Sequence, residues 1–176
     1  MVRPKLIDRR LALPGVERAA ESGRITARLK GLLADPAGGV IGFYWPIRGE
    51  YDPRALMREL HAAGVRLALP VVVGKAQPLI FRPWHPGAKM ARGVWDIPVP
   101  AGGDQVEPAT LVVPLVGFDA ESYRLGYGGG FYDRTIAAMA LRPRTIGVGF
   151  ACGRLSTIHP QPYDMRMDLI VTGEDG

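Results

Sequence analysis

The segment 111–150, LVVPLVGFDAESYRLGYGGGFYDRTIAAMALRPRTIGVGF, contains the pattern that decides the fold. It begins with an apolar run, 111–116, of the length of a buried strand, and it ends with a second apolar run, 144–150. Between the two runs lie a glycine-rich loop, 117–130, and a stretch, 132–141, that predicts a helix. A strand, a loop, a helix and a second strand form the unit from which parallel sheets are built. The segment therefore predicts an α/β domain.

The rest of the chain continues the alternation of strands and helices. Short apolar runs and turn residues predict strands at 40–45, 66–73, 79–82 and 169–172, and helices over 6–13, over 16–33 and from Asp52-Pro53 to Gly64. The stretch 83–103 is rich in glycine and proline and predicts an irregular surface excursion. A chain of 176 residues is long enough for one domain with a hydrophobic core and short for two, so we expect a single domain over 1–176.

The composition excludes several classes of protein. Hydrophobic residues make up 47% and charged residues 22% of the chain, a globular balance that argues against wholesale disorder. No apolar run approaches the roughly 20 residues of a membrane-spanning helix, and no apolar stretch follows the basic start as it would in a secretory signal. Cys152 is the only cysteine, which excludes an intrachain disulfide and a cysteine-based zinc site. We therefore expect a cytoplasmic protein without a membrane partner.

Basic residues are concentrated in the first third of the chain. Lysine and arginine number 22 against 17 aspartate and glutamate, for a net charge of +5, and residues 1–66 alone hold 12 basic and 7 acidic residues. Such an excess indicates either an anionic ligand or solvated helix faces. The second interpretation suits the basic residues of the helix over 16–33, which are Arg18, Arg24, Arg28 and Lys30. Nucleic-acid binders usually show a denser basic stripe with interleaved aromatic residues, so we expect no nucleic-acid partner.

Four glycines lie between 126 and 130, directly before a predicted helix. A loop of this composition lets backbone N–H groups approach an anion, and the helix N-terminus adds partial positive charge. Arg124 and Arg134 flank the loop and add two full charges. The glycines follow neither the Walker A pattern nor the dinucleotide-binding fingerprint. A phosphate-binding loop and a tight structural turn therefore both remain open.

Acidic residues near the loop offer a cation site. Asp133 directly follows the loop and would suit Mg²⁺ beside a polyphosphate, or would equally stabilise the first turn of its own helix. Asp164 and Asp168 lie near the end of the chain, where either could fold back toward the loop. Spacing alone does not choose between them.

Glu50 and three tryptophans are candidates for contact with an organic ligand. Glu50 follows the strand at 40–45, at the carboxyl end where open α/β sheets bind ligands. Asp52 already has a structural duty as a helix N-cap and Glu50 has none, so Glu50 is the better candidate. The tryptophans could each stack on a flat heterocycle or pack in the core, and they are Trp45, Trp84 and Trp95.

The run Arg124-Leu-Gly-Tyr-Gly-Gly-Gly-Phe-Tyr-Asp-Arg134 follows Val113-Pro-Leu-Val-Gly-Phe-Asp119. Together they closely resemble the signature of the 5-formyltetrahydrofolate cyclo-ligases, also called methenyltetrahydrofolate synthetases. Four more segments resemble family elements in order and spacing, namely 49–52, 69–70, 93–98 and 163–172. The resemblance thus covers nearly the whole chain.

The resemblance implies an α/β fold, a three-layer α/β/α sandwich with a mixed, mostly parallel sheet like that of sugar-phosphate isomerases and coenzyme A transferases. It implies ATP- and Mg²⁺-dependent cyclisation of 5-formyltetrahydrofolate to 5,10-methenyltetrahydrofolate. Phosphorylation of the formyl oxygen would precede ring closure, and ADP and phosphate would be released. The partners would be these small molecules, bound to a monomer or a weak homodimer.

The same resemblance implies roles for individual residues. ATP would contact Arg3 and the run Arg124, Leu125, Gly126, Tyr127, Gly128, Gly129, Gly130, Phe131 and Tyr132. Arg124, Tyr132 and Arg134 would take part in catalysis. Asp133 and Asp164 would hold Mg²⁺. The folate pocket would be lined by Trp45, Glu50, Trp95 and Tyr127.

One family feature is missing from the first helix. Family members usually carry a lysine there and, four residues later, an arginine, and both reach the ATP phosphates. Counting back from Ala12-Leu13-Pro14 places the arginine at Arg3 and the lysine before Met1, and Lys5 would point to another helix face. The alternative to the ligase is therefore a related domain that binds nucleotide or folate without turnover. A nucleic-acid-associated protein and a sugar-phosphate isomerase are further rivals.

Overall fold

The computed structural model describes residues 2–174, which form four α-helices and ten strands. The helices are α1 (Val2–Leu11), α2 (Gly15–Leu33), α3 (Arg54–Ala62) and α4 (Phe131–Ala138). The strands are β1 (Ile41–Gly42), β2 (Leu67–Val71), β3 (Ile80–Trp84), β4 (Met90–Arg92), β5 (Pro98–Pro100), β6 (Thr110–Pro114), β7 (Gly117–Phe118), β8 (Arg124–Leu125), β9 (Arg144–Val148) and β10 (Leu169–Val171). In this part of the chain no helix is long and apolar enough to span a membrane.

Six of the strands form one sheet in the spatial order β10-β9-β6-β1-β2-β3. All neighbours in this sheet are parallel except β2 and β3, which pair antiparallel from Leu67 opposite Trp84 to Val71 opposite Ile80. An antiparallel partner needs no crossover helix, and the chain passes from β2 to β3 without one. The predicted mixed, mostly parallel sheet is confirmed.

Helices cover both faces of the sheet because successive strand residues point in opposite directions. Leu67 and Leu69 point to the face covered by α2 and α3, where they share a core with Ile25. Ala68, between them, points to the other face and packs in a second core with Ile136 of α4. The structure therefore has the three layers, helix, sheet and helix, that the sequence indicated.

Three segments differ from the sequence prediction. The strand expected over 40–45 ends at Gly42, and after the N–H of Phe43 donates to the carbonyl of Ala68 (2.9 Å) the chain leaves the sheet. The stretch 83–103 is not wholly irregular, because β4 and β5 form an antiparallel hairpin within it. The loop over 117–130 contains the β7–β8 pair. These pairs are two or three residues long, too short for an alternating pattern to show.

The interpretation of the basic residues of α2 as a solvated face was wrong for Arg18 and Arg28, which are half-buried, whereas Arg24 is exposed as expected. Arg18 donates to the carbonyl of Gly49 (2.8 Å) and lies 5.0 Å from the centre of the Phe150 ring. Arg24 donates to the carbonyl of Gly173 (2.6 Å), and Arg28 donates to that of Thr172. These acceptors are backbone oxygens of segments distant in sequence, which composition does not reveal. Lys30 does stay exposed, where it pairs with Glu59 (3.1 Å).

Candidate active site

A cavity of about 820 Å³ opens at the carboxyl ends of the parallel strands. Tyr44 and Trp45 line it just after β1, Pro70 and Val72 line it at the end of β2, and Pro114 lines it at the end of β6. This is the edge at which open α/β sheets bind ligands. The volume suits a ligand of cofactor size.

The cavity brings together residues that are far apart in the sequence. Its lining includes every residue to which the family resemblance assigns ATP, folate or metal, namely Arg3, Trp45, Glu50, Trp95, all of 124–132, Asp133 and Asp164, whereas the further candidates Trp84 and Asp168 do not line it. Arg134 is not among the lining residues. Its guanidinium donates to the carbonyl of Gly129 (3.3 Å) and lies 5.7 Å from the centre of the Phe131 ring. In this position Arg134 supports the glycine loop, and its catalytic role stays a prediction.

The glycine loop, residues 126–130, depends on backbone conformations that side chains disfavour. Gly128 has a φ of 99° and Gly130 a φ of 68°, both left-handed. Gly129 is restricted by space, because a Cβ there would lie 2.8 Å from an atom of the Phe131 ring. Gly130 directly precedes α4, so the loop leads into a helix N-terminus. The result is a backbone that can approach an anion closely.

α1 places Arg3 against this loop. The helix begins at Val2, and Pro4 is tolerated because it lies in the first turn, where N–H groups have no intrahelical acceptor. Arg3 Nε donates to the carbonyl of Gly126 (2.8 Å). The guanidinium therefore lies at the cavity wall beside the glycines. This position is consistent with the sequence analysis, which matched Arg3 to the arginine that family members carry on the first helix.

Arg124 and Asp133 form a nearly buried ion pair at the same wall. Arg124 Nη2 lies 3.1 Å from Asp133 Oδ1, and the two side chains are 7% and 13% exposed. The same Oδ1 accepts the N–H of Met165 (2.9 Å). Arg124 Nε is buried and has no hydrogen-bond acceptor within residues 2–174. Since an unsatisfied buried donor is costly, an anionic ligand in the cavity would supply what this nitrogen lacks.

Two aspartates are available for a cation, and their surroundings limit how they could hold it. Asp133 is engaged by Arg124, and Asp164 Oδ2 accepts the N–H of Gln161 (2.7 Å). No group of three or more His, Cys, Asp or Glu side chains in residues 2–174 could hold a metal. Mg²⁺ is commonly bound by one or two carboxylates together with ligand phosphates. Asp133 and Asp164 both line the cavity, so a polyphosphate bound there would supply the remaining ligands of such a site.

Glu50 is buried in the turn after β1, where it lines the cavity next to Tyr127 of the glycine loop. Its Oε1 accepts the N–H of Ile47 (2.8 Å), and its Oε2 accepts the hydroxyl proton of Tyr127 (3.2 Å). The expectation that Glu50 has no structural duty was therefore wrong, because its side chain closes its own turn. Burial raises the pKa of Glu50 to about 7, while the Ile47 N–H, Arg10 and Tyr127 act to lower it.

The raised pKa predicts a pH-dependent stability that Glu50→Gln should remove. A carboxyl whose pKa rises from 4.5 unfolded to about 7 folded holds its proton more tightly in the folded state, so stability falls as pH rises through that window. As the pH rises from 4.5 to about 7, we expect the free energy of unfolding of the wild type to fall by up to about 3 kcal/mol more than that of Glu50→Gln. Urea unfolding of both proteins at about pH 5 and about pH 8 measures the difference. Equal pH dependence in the two proteins would contradict the prediction.

The three tryptophans have different surroundings. Trp84 packs in the core, whereas Trp45 lines the cavity with the Arg54 guanidinium 5.0 Å from its ring centre. Trp95 is 68% exposed at the cavity wall, and its ring meets the edge of Phe131 at 5.8 Å between centres. Trp95 has a φ of 55°, a left-handed conformation that is costly for a large side chain. The hairpin thus holds an exposed aromatic ring over the space that Glu50 borders.

Comparison with known proteins identifies the family of this cavity-bearing fold. A family model described as the 5-formyltetrahydrofolate cyclo-ligase family matches residues 1–173. The chain belongs to the 5-formyltetrahydrofolate cyclo-ligase family. A 5-formyltetrahydrofolate cyclo-ligase of Mycolicibacterium smegmatis is 30% identical over 183 residues, which cover 99% of this chain and 93% of that protein. One of Escherichia coli is 32% identical over 131 residues, which cover 70% and 72%.

Solved structures of cyclo-ligases have the same fold. The NMR structure of Aquifex aeolicus 5,10-methenyltetrahydrofolate synthetase has a TM-score of 0.85 at 29% identity, with 99% of this chain and 89% of that chain covered. A solved structure of the Mycoplasma pneumoniae 5,10-methenyltetrahydrofolate synthetase has a TM-score of 0.80 at 24% identity, with 98% of this chain and 97% of that chain covered, and shows a likeness of fold. The predictions of family, α/β class and ligase enzyme are confirmed. The single domain and the individual site residues stay predictions.

The sequence reasoning missed one residue next to the cyclo-ligase cavity. Arg10 lies in the last turn of α1, is 3% exposed and donates to the Tyr127 hydroxyl (2.8 Å). Its only sequence signal is the pair Arg9-Arg10, which is ordinary for the end of a helix.

Proposed function

We propose that the protein catalyses the ATP- and Mg²⁺-dependent cyclisation of 5-formyltetrahydrofolate to 5,10-methenyltetrahydrofolate, with release of ADP and phosphate. The observation that carries the proposal is one shared cavity. The glycine loop with Arg3 and Arg124 borders one part of it, and Glu50 with the rings of Trp45 and Trp95 borders another. Membership of the family supports the choice of substrates.

The reaction needs alignment and charge neutralisation more than it needs a protein nucleophile. A formamide is a poor electrophile, and its oxygen is a poor leaving group. ATP supplies the phosphoryl group that lets the formyl oxygen depart as phosphate, while N10 of the folate forms the new bond to carbon. A protein accelerates such a step by holding both substrates in one space and stabilising the developing charge.

The residues of the loop wall suit the nucleotide. Backbone N–H groups of 126–130 and the N-terminus of α4 favour phosphate oxygens, and Arg3 and Arg124 add full positive charge. Burial raises the pKa of Tyr132, so its hydroxyl stays protonated and acts only as a hydrogen-bond donor or neutral acceptor. Asp133 and Asp164 would hold Mg²⁺ together with the polyphosphate. The Mg²⁺ would offset part of the negative charge of the phosphates.

The residues around Glu50 suit the folate. A reduced pterin presents N–H donors along one edge, and a carboxylate facing that edge can accept two parallel hydrogen bonds. Glu50 borders the cavity with both oxygens already fixed by single protein donors, so each oxygen retains a lone pair. The rings of Trp45 and Trp95 offer stacking faces.

An assay with ATP, Mg²⁺ and 5-formyltetrahydrofolate tests the function directly. The methenyl product contains a conjugated amidinium that absorbs light at longer wavelength than the substrate, so its formation is followed continuously. Reactions without ATP serve as the control. Product formation that requires ATP would establish the ligase. Calorimetric binding of both substrates with no product would favour the alternative, a domain that binds without turnover.

Glu50→Gln is expected to weaken folate binding selectively. Loss of the charged acceptor should cost roughly 1.5–3 kcal/mol of folate affinity, the range for hydrogen bonds to charged groups. ATP affinity should change less, because the contact of Glu50 with the glycine loop is to the side chain of Tyr127 (3.2 Å), whereas the phosphates would meet the loop backbone. Asp52→Asn is the matched control, since Asp52 pairs with Arg54 (2.8 Å) and does not line the cavity. Equal losses for ATP and folate, or no loss for either, would remove Glu50 from the folate pocket.

A further inference from the structure

Arg10 is a buried arginine whose guanidinium joins three separate segments. Its Nε and Nη2 donate to the carbonyl of Arg48 at 3.1 and 2.8 Å. Its Nη1 donates to the carbonyl of Leu115 (3.2 Å), just after β6. Its Nη2 also donates to the hydroxyl of Tyr127 in the glycine loop. These acceptors are all neutral oxygens. Among residues 2–174, Arg10 therefore has no hydrogen-bonded carboxylate that would offset the free-energy cost of burying its charge.

The hydroxyl of Tyr127 lies between Arg10 and Glu50. A phenol has one proton, and a guanidinium can only donate. Because Arg10 occupies the acceptor side of the hydroxyl, the phenolic proton is directed to Glu50 Oε2 (3.2 Å). Burial raises the pKa of Tyr127 to about 12, which keeps that proton in place. Arg10 therefore fixes the direction of the bond that Glu50 receives.

Arg10 also holds the backbone of the turn that bears Glu50. Arg48 and Gly49 are both left-handed, with φ of 49° and 75°, and a Cβ at Gly49 would lie 2.9 Å from Leu11. The two hydrogen bonds from Arg10 to the Arg48 carbonyl fasten this strained turn to the end of α1. The turn that bears Glu50 and the Tyr127 hydroxyl that donates to Glu50 therefore both depend on the Arg10 guanidinium.

We propose that Arg10 is a positioning residue that sets Glu50 for the folate and ties it to the glycine loop through the Tyr127 hydroxyl. The identity of the ligand rests on the proposed function, whereas the contacts do not. Arg10 does not line the cavity, so it acts on the substrate only through Tyr127 and the turn.

The charge state of Glu50 reports on this arrangement. Besides Arg10, the groups that face Glu50 are Arg48 in its turn, Tyr127 in the loop, Tyr44 after β1 and Tyr132 in α4. Arg10, Arg48 and Tyr127 lower the pKa of Glu50. Loss of Arg10 removes its positive charge and also frees the Tyr127 hydroxyl to turn away.

A titration of the Glu50 carboxyl by ¹³C NMR tests the proposal without turnover. The signal is assigned by its absence in Glu50→Gln, and the pKa is measured in Arg10→Met, Tyr127→Phe and the double variant. We expect each single change to raise the pKa of Glu50 and the double change to raise it by less than both together, because they act on one bond. Arg24→Met, which removes an arginine that donates to a distant carbonyl, should leave it unchanged. No rise in Arg10→Met would overturn the proposal, and additive rises would show that Arg10 acts by charge alone.

Arg10→Lys gives a second measurement in a variant that keeps the charge. One ammonium group cannot reproduce the guanidinium fork toward both Arg48 and Tyr127. We expect the KM for 5-formyltetrahydrofolate to rise by roughly tenfold, below the ~100-fold that a 1 Å misplacement can cost, with little change in the KM for ATP. An unchanged folate KM would overturn the positioning role. If the wild type forms no methenyl product, the proposed function fails, and the titration still decides the role of Arg10.

Discussion

Gly129→Val is expected to weaken ATP binding by on the order of 100-fold, the loss of about two charge-assisted hydrogen bonds from the loop. The Cβ alone would lie 2.8 Å from the Phe131 ring, and valine adds two methyl groups to that clash. The Phe131 ring packs against the second core and against Trp95, which restrains it, so we expect the loop backbone to shift and its N–H groups to turn away from the anion. Calorimetric titration with a non-hydrolysable ATP analogue and Mg²⁺ measures the loss.

The fold should survive this substitution, because Gly129 is exposed and lies outside the sheet and both cores. Gly102→Val is the matched control, since a Cβ at Gly102 meets no atom within 4 Å. Gly129→Ala should give an intermediate loss, as its Cβ makes the same contact without the added methyl groups. Unchanged ATP affinity in Gly129→Val would show that the glycines form only a structural turn.

The glycine loop could be predicted because its information is local. Residues 124–133 carry two glycines in left-handed conformations, a helix start and a buried charge pair within ten positions. The strands and helices around it were also predictable, since apolar periodicity extends over five or more residues in β2, β6 and β9. The position of the glycine loop at the carboxyl ends of these strands then follows from the topology of the sheet.

The rest of the site depends on contacts that leave no pattern in the sequence. Arg10 is linked to Leu115 and Tyr127 across more than a hundred residues, and two of its three acceptors are backbone oxygens that any residue could present. Trp84 and Trp95 are chemically identical, but Trp84 lies in β3 and packs in the core, whereas Trp95 has a left-handed backbone in the β4–β5 hairpin and lies at the cavity. Local sequence thus predicts the glycine loop better than the part of the cavity around Glu50.

Asp133→Asn is expected to lower the turnover rate by on the order of 100-fold, and excess Mg²⁺ should restore part of it. The substitution removes one charged oxygen from a cation site that a polyphosphate would complete, so the site is weakened rather than destroyed. A weakened site responds to mass action, and the rate should therefore rise with Mg²⁺ concentration well beyond the point at which the wild type saturates. Initial rates of methenyl formation across a Mg²⁺ series measure this.

The ion pair between Asp133 and Arg124 offers a competing explanation, and the same experiment separates the two. The amide introduced by Asp133→Asn would still present Oδ1 to the N–H of Met165, so the fold should persist while Arg124 loses its countercharge. If that pair were the sole duty of Asp133, activity would fall with no recovery at high Mg²⁺. Asp168→Asn is the control, because Asp168 accepts from Thr145 (2.9 Å) and does not line the cavity. Full activity of Asp133→Asn at low Mg²⁺ would show that catalysis needs neither a cation held by Asp133 nor its ion pair with Arg124. A rate that recovers with Mg²⁺ would assign the cation to Asp133 in spite of its arginine neighbour.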